Sequence, residues 1–508
     1  MLGDSGLDLA TIEAFEQARP TVRLSPAARE RMTASMATVR RVVASGQASY
    51  GINTGFGAFA NRRISTEQVR QLQYNLVRSH ACGVGEPLPA PVVRRILLLK
   101  ANSLAIGCSG VRPELVEALL AMLAADVVPI IPRRGSVGAS GDLAPLAHLA
   151  LALVGEGEAM QQGRRLEGAA VLQAAGVDPP GLEPKEGLAL LNGTQASSAL
   201  ALEGLFRARR LLATAITAGA LTVEGLAGSF VPFDDRIHAA RGLPAQREVA
   251  SRFRRLLTAS RINASHVDCD RVQDPYAVRC MPQVYGAVAD TLDHAGRVLE
   301  AEANGVSDNP LIFDDEVLSG GNFHAGPIGY VADFMAIALT DLAAMSERRI
   351  DLLARRVNPN LNMFLTNEPG VESGFMIAHV TAAALASENK TLAHPASVDT
   401  IPTSAGQEDH VSMAPWAGLK LLSVCENVAC VLAIELLAAA HAVDDQRPLE
   451  TTPALEAMHR RICAIAPLER GDHRLDGPIA RLAEQVNRGT FEDRHAHDGL
   501  PEKTPTTS

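Results

Sequence analysis

Residues 194–226 read TQASSALALEGLFRARRLLATAITAGALTVEGL, a run rich in Ala and Leu on several faces and far longer than an average helix. Comparable apolar-periodic stretches cover about 277–304, 326–357, 373–392 and 412–442. Shorter ones cover 91–106, where Pro91 suits a first helical turn and Gly107 ends the pattern, and 113–126, opened by Pro113. Helices of this kind bury their faces against one another, so the reading is a mainly α fold built on a long central helical bundle. Strand signals are few: residues 158–166 and 311–318 could each form a small hairpin.

Composition agrees. Of 508 residues, 47% are apolar but only 4% aromatic, so the core is made of small and branched aliphatic side chains. There are 57 acidic and 47 basic residues, a net charge of −10, which disfavours nucleic acid as a partner. The seven cysteines (82, 108, 269, 280, 425, 430 and 463) are scattered without a C-x-x-C pair, as expected of thiols in a reducing, cytoplasmic setting. The most membrane-like runs, 211–223 and 428–443, are short and carry or abut Glu224 and Glu435, so buried core helices are expected and no membrane partner. The expected organisation is a loop-rich N-terminal domain over 1–200, a long-helix domain over 201–486, and a polar, disordered tail over 487–508.

Glycine-rich polar loops separate the helices: YGINTGFG (50–57), RRGSVGASGD (133–142), LNGTQ (191–195), NGVSDNP (304–310), SGGNFH (319–324) and TSAGQEDHVSM (403–413). Loops on a rigid scaffold are where catalytic groups concentrate. In GSVGASGD, Gly135, Gly138 and Gly141 permit backbone conformations closed to other residues, and Asp142 is placed to cap the helix that follows. A tight turn before a helix is the plain explanation. A chemical one exists beside it. If the turn drives the Gly141 nitrogen onto the Ala139 carbonyl carbon, the backbone can cyclise with loss of water. The Ser140 hydroxyl can then leave as a second water, producing 4-methylidene-imidazole-5-one, an electrophile no ordinary side chain supplies. The adjoining helix N-terminus would favour electron flow into the ring.

The segment GSVGASGDLAPLAH resembles the signature of the aromatic amino acid ammonia-lyases, with a fuller likeness to those acting on histidine. The resemblance runs from about residue 20 to 465 through YGINTGFG, LQYNLVRSHACGVG, KEGLALLNGTQ, RVQDPYAVRC, EANGVSDNP, SGGNFH, SGFMIAHVTAAALASENK and PTSAGQEDHVSMAP. It implies an electrophile made from Ala139, Ser140 and Gly141, with no external cofactor and no metal. It also implies a homotetramer whose active sites draw loops from more than one subunit.

By that resemblance Tyr50 is the base for the substrate β-proton, a role that calls for surroundings that lower its pKa. Arg279 would hold the substrate carboxylate through its planar fork. Tyr276 and Gln273 match active-site residues of the same loop, and Asn192 matches the residue that bonds the electrophile's carbonyl. Phe323 matches the pocket wall and Asn309 the electrophile's support. His80 and Glu408 suit an imidazole substrate, since an imidazole and a carboxylate can engage its two ring nitrogens. Relatives acting on phenylalanine or tyrosine replace the Ser79-His80 pair with other residues. The expected reaction is therefore elimination of ammonia from L-histidine, giving trans-urocanate. A phenylalanine or tyrosine ammonia-lyase, or an aminomutase, is the alternative, and a non-catalytic helical scaffold a more distant one. Gly326, Met281 and Gly305 stand where the family commonly has Glu, Gln and Ala, and the first leaves substrate choice open.

Overall fold

A computed structural model describes residues 1–46, 48–55, 57–59, 62–267, 271–469 and 471–492. Phe56 of the first glycine loop, Cys269, and residues 493–508 of the expected tail lie outside the described residues.

The fold is mainly α, with a few short strands. The expected long helices form at Gln195–Gly225, Gly326–Ala354, Met376–Leu392 and Ala414–Asp444, each within about three residues of its expected bounds. The stretch expected over 277–304 divides into a turn of helix, Tyr276–Arg279, and a long helix, Met281–Ala303. Pro282 accounts for the break: it has no N–H to bond the Val278 carbonyl, and its ring crowds that carbonyl, so the helix restarts with the proline in its first turn. Both expected hairpins are present, pairing Glu158–Gln161 with Arg164–Glu167 and Leu311–Phe313 with Glu316–Leu318. Two further pairings had no clear signal in the sequence: Val128–Pro129 adds to the first hairpin, and Val84–Pro87 pairs antiparallel with Pro132–Arg134.

The chain divides into two units, and neither is continuous. The first comprises Met1–Gly204, Ala295–Asp333 and Pro395–Leu421; the second comprises Leu205–His294, Phe334–His394 and Leu422–Ser508. The expected cut near residue 200 thus falls close to one boundary, but a linear division at 1–200 and 201–486 misses the two later segments that join the first unit. Those segments carry SGGNFH and TSAGQEDHVSM.

In the first unit, helices Ala90–Ala105 and Pro113–Ala124 pack together, as do Thr66–His80, Leu143–Leu153 and Glu186–Leu191. Several of these helices border the glycine-rich loops. In the second unit, Arg349 and Glu435 form a fully buried pair, Nε to Oε1 at 2.5 Å and Nη2 to Oε2 at 2.7 Å. Tyr285 accepts from Arg349, and Thr222 and Ser346 donate to Glu435, so neither charge is left bare. Order extends past the expected start of the tail. Phe491 is fully buried, and its carbonyl accepts from Thr217 Oγ1 at 2.9 Å.

Among the described residues two helices, Gly326–Ala354 and Ala414–Asp444, are long and apolar enough to cross a membrane, and 61% and 78% of their most apolar windows are buried inside the protein. The second contains the expected 428–443 run, and the first lies in the helical stretch expected over 326–357.

Candidate active site

A cavity of about 1220 Å³ in the first unit is lined by Tyr50, His80, Ala139, Ser140, Asn192, Asn309, Phe323 and Glu408, with others. Eight of the residues singled out from sequence therefore converge on one space, from segments far apart in the chain.

The floor is the loop 135–142. Gly141 has φ +77°, and a Cβ there would lie 2.3 Å from the Gly193 carbonyl oxygen, so only glycine fits. The loop is tied down on both sides. Asp142 N donates to Gly193 O at 2.7 Å, Met413 N to Val137 O at 2.9 Å, and Ser412 Oγ to Gly138 O at 2.9 Å. Asp142 occupies the position before helix Leu143–Leu153, but its carboxylate does not cap that helix. It reaches instead to Ser197, accepting from N and Oγ at 2.7 Å each, and so caps the start of Gln195–Gly225. Burial pushes this carboxyl up to about 6, with the Ser197 donors opposing.

Above the floor, Asn192 Nδ2 donates to the Ser140 carbonyl at 2.8 Å, while Asn192 Oδ1 is buried without a partner. Ser140 Oγ donates to Glu408 Oε1 at 2.6 Å. Thr403, at the other end of the same tight turn, donates its hydroxyl to Glu408 Oε2 at 2.6 Å. The carboxylate is thus fixed by two hydroxyls, one on each oxygen. Asn309 Oδ1 accepts from Gly320 N at 2.7 Å and Ser319 Oγ at 3.2 Å, which pins the loop bearing Phe323.

His80 ends helix Thr66–His80, and its Nδ1 lies 2.8 Å from the Leu76 carbonyl. A carbonyl only accepts, so Nδ1 carries the proton and Nε2 is left with a lone pair. Burial lowers the His80 pKa, with the Leu76 bond and Glu408 opposing, which favours the neutral ring. Tyr50 departs from expectation. Burial raises its phenol above the ordinary value, the Glu408 charge adds to this, and only the Gly57 backbone bond opposes. Arg62, a cation of the first unit, lines the same cavity.

Gln273, Tyr276 and Arg279 are not part of this cavity. They belong to the second unit and contact one another: Arg279 Nη1 donates to Gln273 Oε1, and its guanidinium sits 5.6 Å from the Tyr276 ring centre. Tyr276 is 74% exposed. The sequence reading missed Thr403, although it lies in the quoted loop 403–413, and it missed His324 and His410. Those two imidazoles line the cavity and stack with ring centres 5.6 Å apart, nearly parallel at 3°.

Residues 7–464 match the family described as aromatic amino acid lyase. The chain is 54% identical over 486 residues to a histidine ammonia-lyase of Aromatoleum aromaticum, covering 95% of this chain and 92% of that one. Among solved structures, a histidine ammonia-lyase from Trypanosoma cruzi superposes with a TM-score of 0.89 at 38% identity, covering 99% of both chains. A tyrosine aminomutase from Streptomyces globisporus superposes at 0.91 with 34% identity, covering 96% of this chain and 97% of that one. With the cavity, its glycine-bound Ala-Ser-Gly floor and these likenesses together, the chain belongs to the aromatic amino acid lyase family.

Proposed function

We propose that this chain eliminates ammonia from L-histidine to give trans-urocanate, the opening step of histidine degradation. The observation that carries the reading is the meeting of Ser140, Glu408 and His80 in one cavity: a self-modifying serine beside two groups that suit an imidazole.

The residues present fit 4-methylidene-imidazole-5-one made from Ala139, Ser140 and Gly141. Gly141 holds a left-handed backbone in a space closed to any Cβ, Asn192 donates to the carbonyl that would become the ring oxygen, and the buried Asn192 Oδ1 has an unused lone pair. Once formed, the group supplies an electron-poor carbon that turns the substrate amine into a better leaving group.

The chain's own residues do the rest. His80 Nε2 and the Glu408 carboxylate present two acceptors to the substrate ring, a pair suited to an imidazole with both nitrogens protonated. Phe323 closes the wall. Tyr50 removes the β-proton. Arg279, with Tyr276 and Gln273, receives the substrate carboxylate in a homotetramer whose neighbouring protomers complete each site. Supporting this are the exposure of Tyr276 and its place beside the Arg279 guanidinium. The enzyme works in the cytoplasm on a small amino acid, without nucleic acid, membrane or external cofactor, in keeping with its acidic charge and scattered thiols.

The test pairs the intact mass of the purified protein with ultraviolet monitoring of L-histidine, L-phenylalanine and L-tyrosine supplied separately. A deficit of two waters with urocanate from histidine alone is the expected result. Cinnamate or coumarate instead would keep the electrophile and overturn the assignment of His80 and Glu408. No deficit and no product would reduce the chain to a scaffold.

A further inference from the structure

Helix Ala90–Ala105 carries one lysine, Lys100, in the apolar run LLLKANSLA, and it is 1% exposed. Burying an ammonium is costly unless its hydrogen bonds are made, so its partners matter. Lys100 Nζ donates to the Asn192 carbonyl at 2.8 Å and to the Ala189 carbonyl at 3.1 Å. Both carbonyls lie at the C-terminal end of helix Glu186–Leu191, where backbone acceptors are left unpaired and the helix dipole is negative. The next residues form the turn that abuts the reactive triad: Gly193 O accepts from Asp142 N, and the Asn192 side chain reaches the Ser140 carbonyl at 2.8 Å.

We propose that Lys100 is a positioning residue for both self-processing and elimination: seated on the Asn192 main chain, it holds the Asn192 amide against the Ser140 carbonyl. The inference rests on the triad being the electrophile's source. Lys100 faces Asp142 and Asp308 as counter-charges and Lys185 as a like charge, and Lys185 is itself paired with Asp308 at 2.6 Å. Burial pushes Lys100 down to about 7, with both carboxylates opposing, so its environment is set by these neighbours rather than by solvent. An apolar side chain at position 100 would fill the space but leave two carbonyls without donors.

The experiment is a double-mutant cycle on the full-length enzyme with Lys100→Met and Asn192→Ala, read by intact mass, kcat and KM. Lys100→Met should leave part of the chains without the two-water deficit. It should also lower kcat per processed site roughly tenfold to a hundredfold, the worth of a hydrogen bond from a charged donor, with KM little changed. Because Lys100 acts through Asn192, the double variant should be no worse than Asn192→Ala alone. Lys100→Gln, which keeps N–H donors without charge, should recover part of the loss, and it replaces Met in the cycle if Lys100→Met does not fold. Full processing with unchanged kcat, or losses that multiply in the double variant, would overturn the proposal. A wild-type protein lacking the two-water deficit would remove the electrophile reading, and this inference with it.

Discussion

The Ser140 hydroxyl donates to Glu408 Oε1 across 2.6 Å, although 268 positions separate the two residues in the chain. On the proposed reading Glu408 would meet the same site twice, first against the serine to be dehydrated and then, with that hydroxyl gone, facing the substrate ring.

Glu408→Gln removes the charge while keeping the shape. Loss of a charged hydrogen bond to the substrate ring predicts a fall in kcat/KM for histidine of roughly a hundredfold, near the upper end for such a bond. Any residual turnover of phenylalanine, which offers the carboxylate no donor, should change far less. Thr403→Val removes the hydroxyl on Oε2, and a loss of roughly tenfold in kcat/KM for histidine follows from a misaimed carboxylate. Steady-state kinetics on the two substrates separate these effects. An equal loss on both substrates would show that Glu408 does not read the ring.

Gly141→Ala should abolish self-processing. The residue sits at φ +77°, and its Cβ would fall 2.3 Å from Gly193 O, a contact with backbone that cannot swing aside. The left-handed conformation alone costs an alanine about 1 kcal/mol. Relief of the clash requires the triad and the 192–194 turn to separate, which removes the close approach that cyclisation needs. Intact mass reads this directly: the variant should retain both waters and lack activity, while Gly163→Ala, in an open hairpin turn with nothing within 4 Å, should process fully.

Asp142 gives the fold a pH dependence of defined sign. Its carboxyl is raised to about 6 in the folded protein from an ordinary value of 3.8. Its stabilising contribution is therefore complete below pH 3.8 and declines as pH rises toward 6, because the unfolded chain ionises first. Asp142→Asn keeps an acceptor for Ser197 N and does not ionise. The variant's melting temperature relative to wild type should rise between about pH 4 and pH 6 and then level off. A difference that stays flat across that window, or falls, would mean the buried carboxyl is ionised at no cost.

Much of the candidate site was legible because Ser140, Tyr50, His80 and Glu408 stand in short motifs that resemble those of a known family, whereas their residue types alone would not have singled them out. The long helices were legible for a similar reason, since an Ala- and Leu-rich pattern is local. What could not be read were relations between distant segments. Asp142 looked like a cap for the helix it precedes, yet its carboxylate serves Ser197, 55 positions on. Lys100 stands in an apolar run that names no partner for it, and only the fold brings the Asn192 carbonyl to it. Likewise, segments 295–333 and 395–421 return to the first unit through contacts that no linear composition shift marks.

Arg279, which is not among the residues lining the cavity, carries the last prediction. The triad lies in the first unit and Arg279 in the second, next to an exposed Tyr276. If each site is completed by a neighbouring protomer, an inactive variant and an impaired one can complement each other. Ser140→Ala cannot form the electrophile but keeps a sound Arg279. Arg279→Ala should process fully, with the two-water deficit intact, yet bind the substrate carboxylate poorly, so that KM for histidine rises roughly tenfold to a hundredfold. Co-expressed, the two should assemble mixed tetramers in which some sites pair a processed triad from one chain with Arg279 from another. Activity at low histidine should then exceed the sum of the two parents measured alone. Should the mixture only equal that sum, both groups are supplied by the same chain, and the shared-site arrangement is wrong even if the reaction is right.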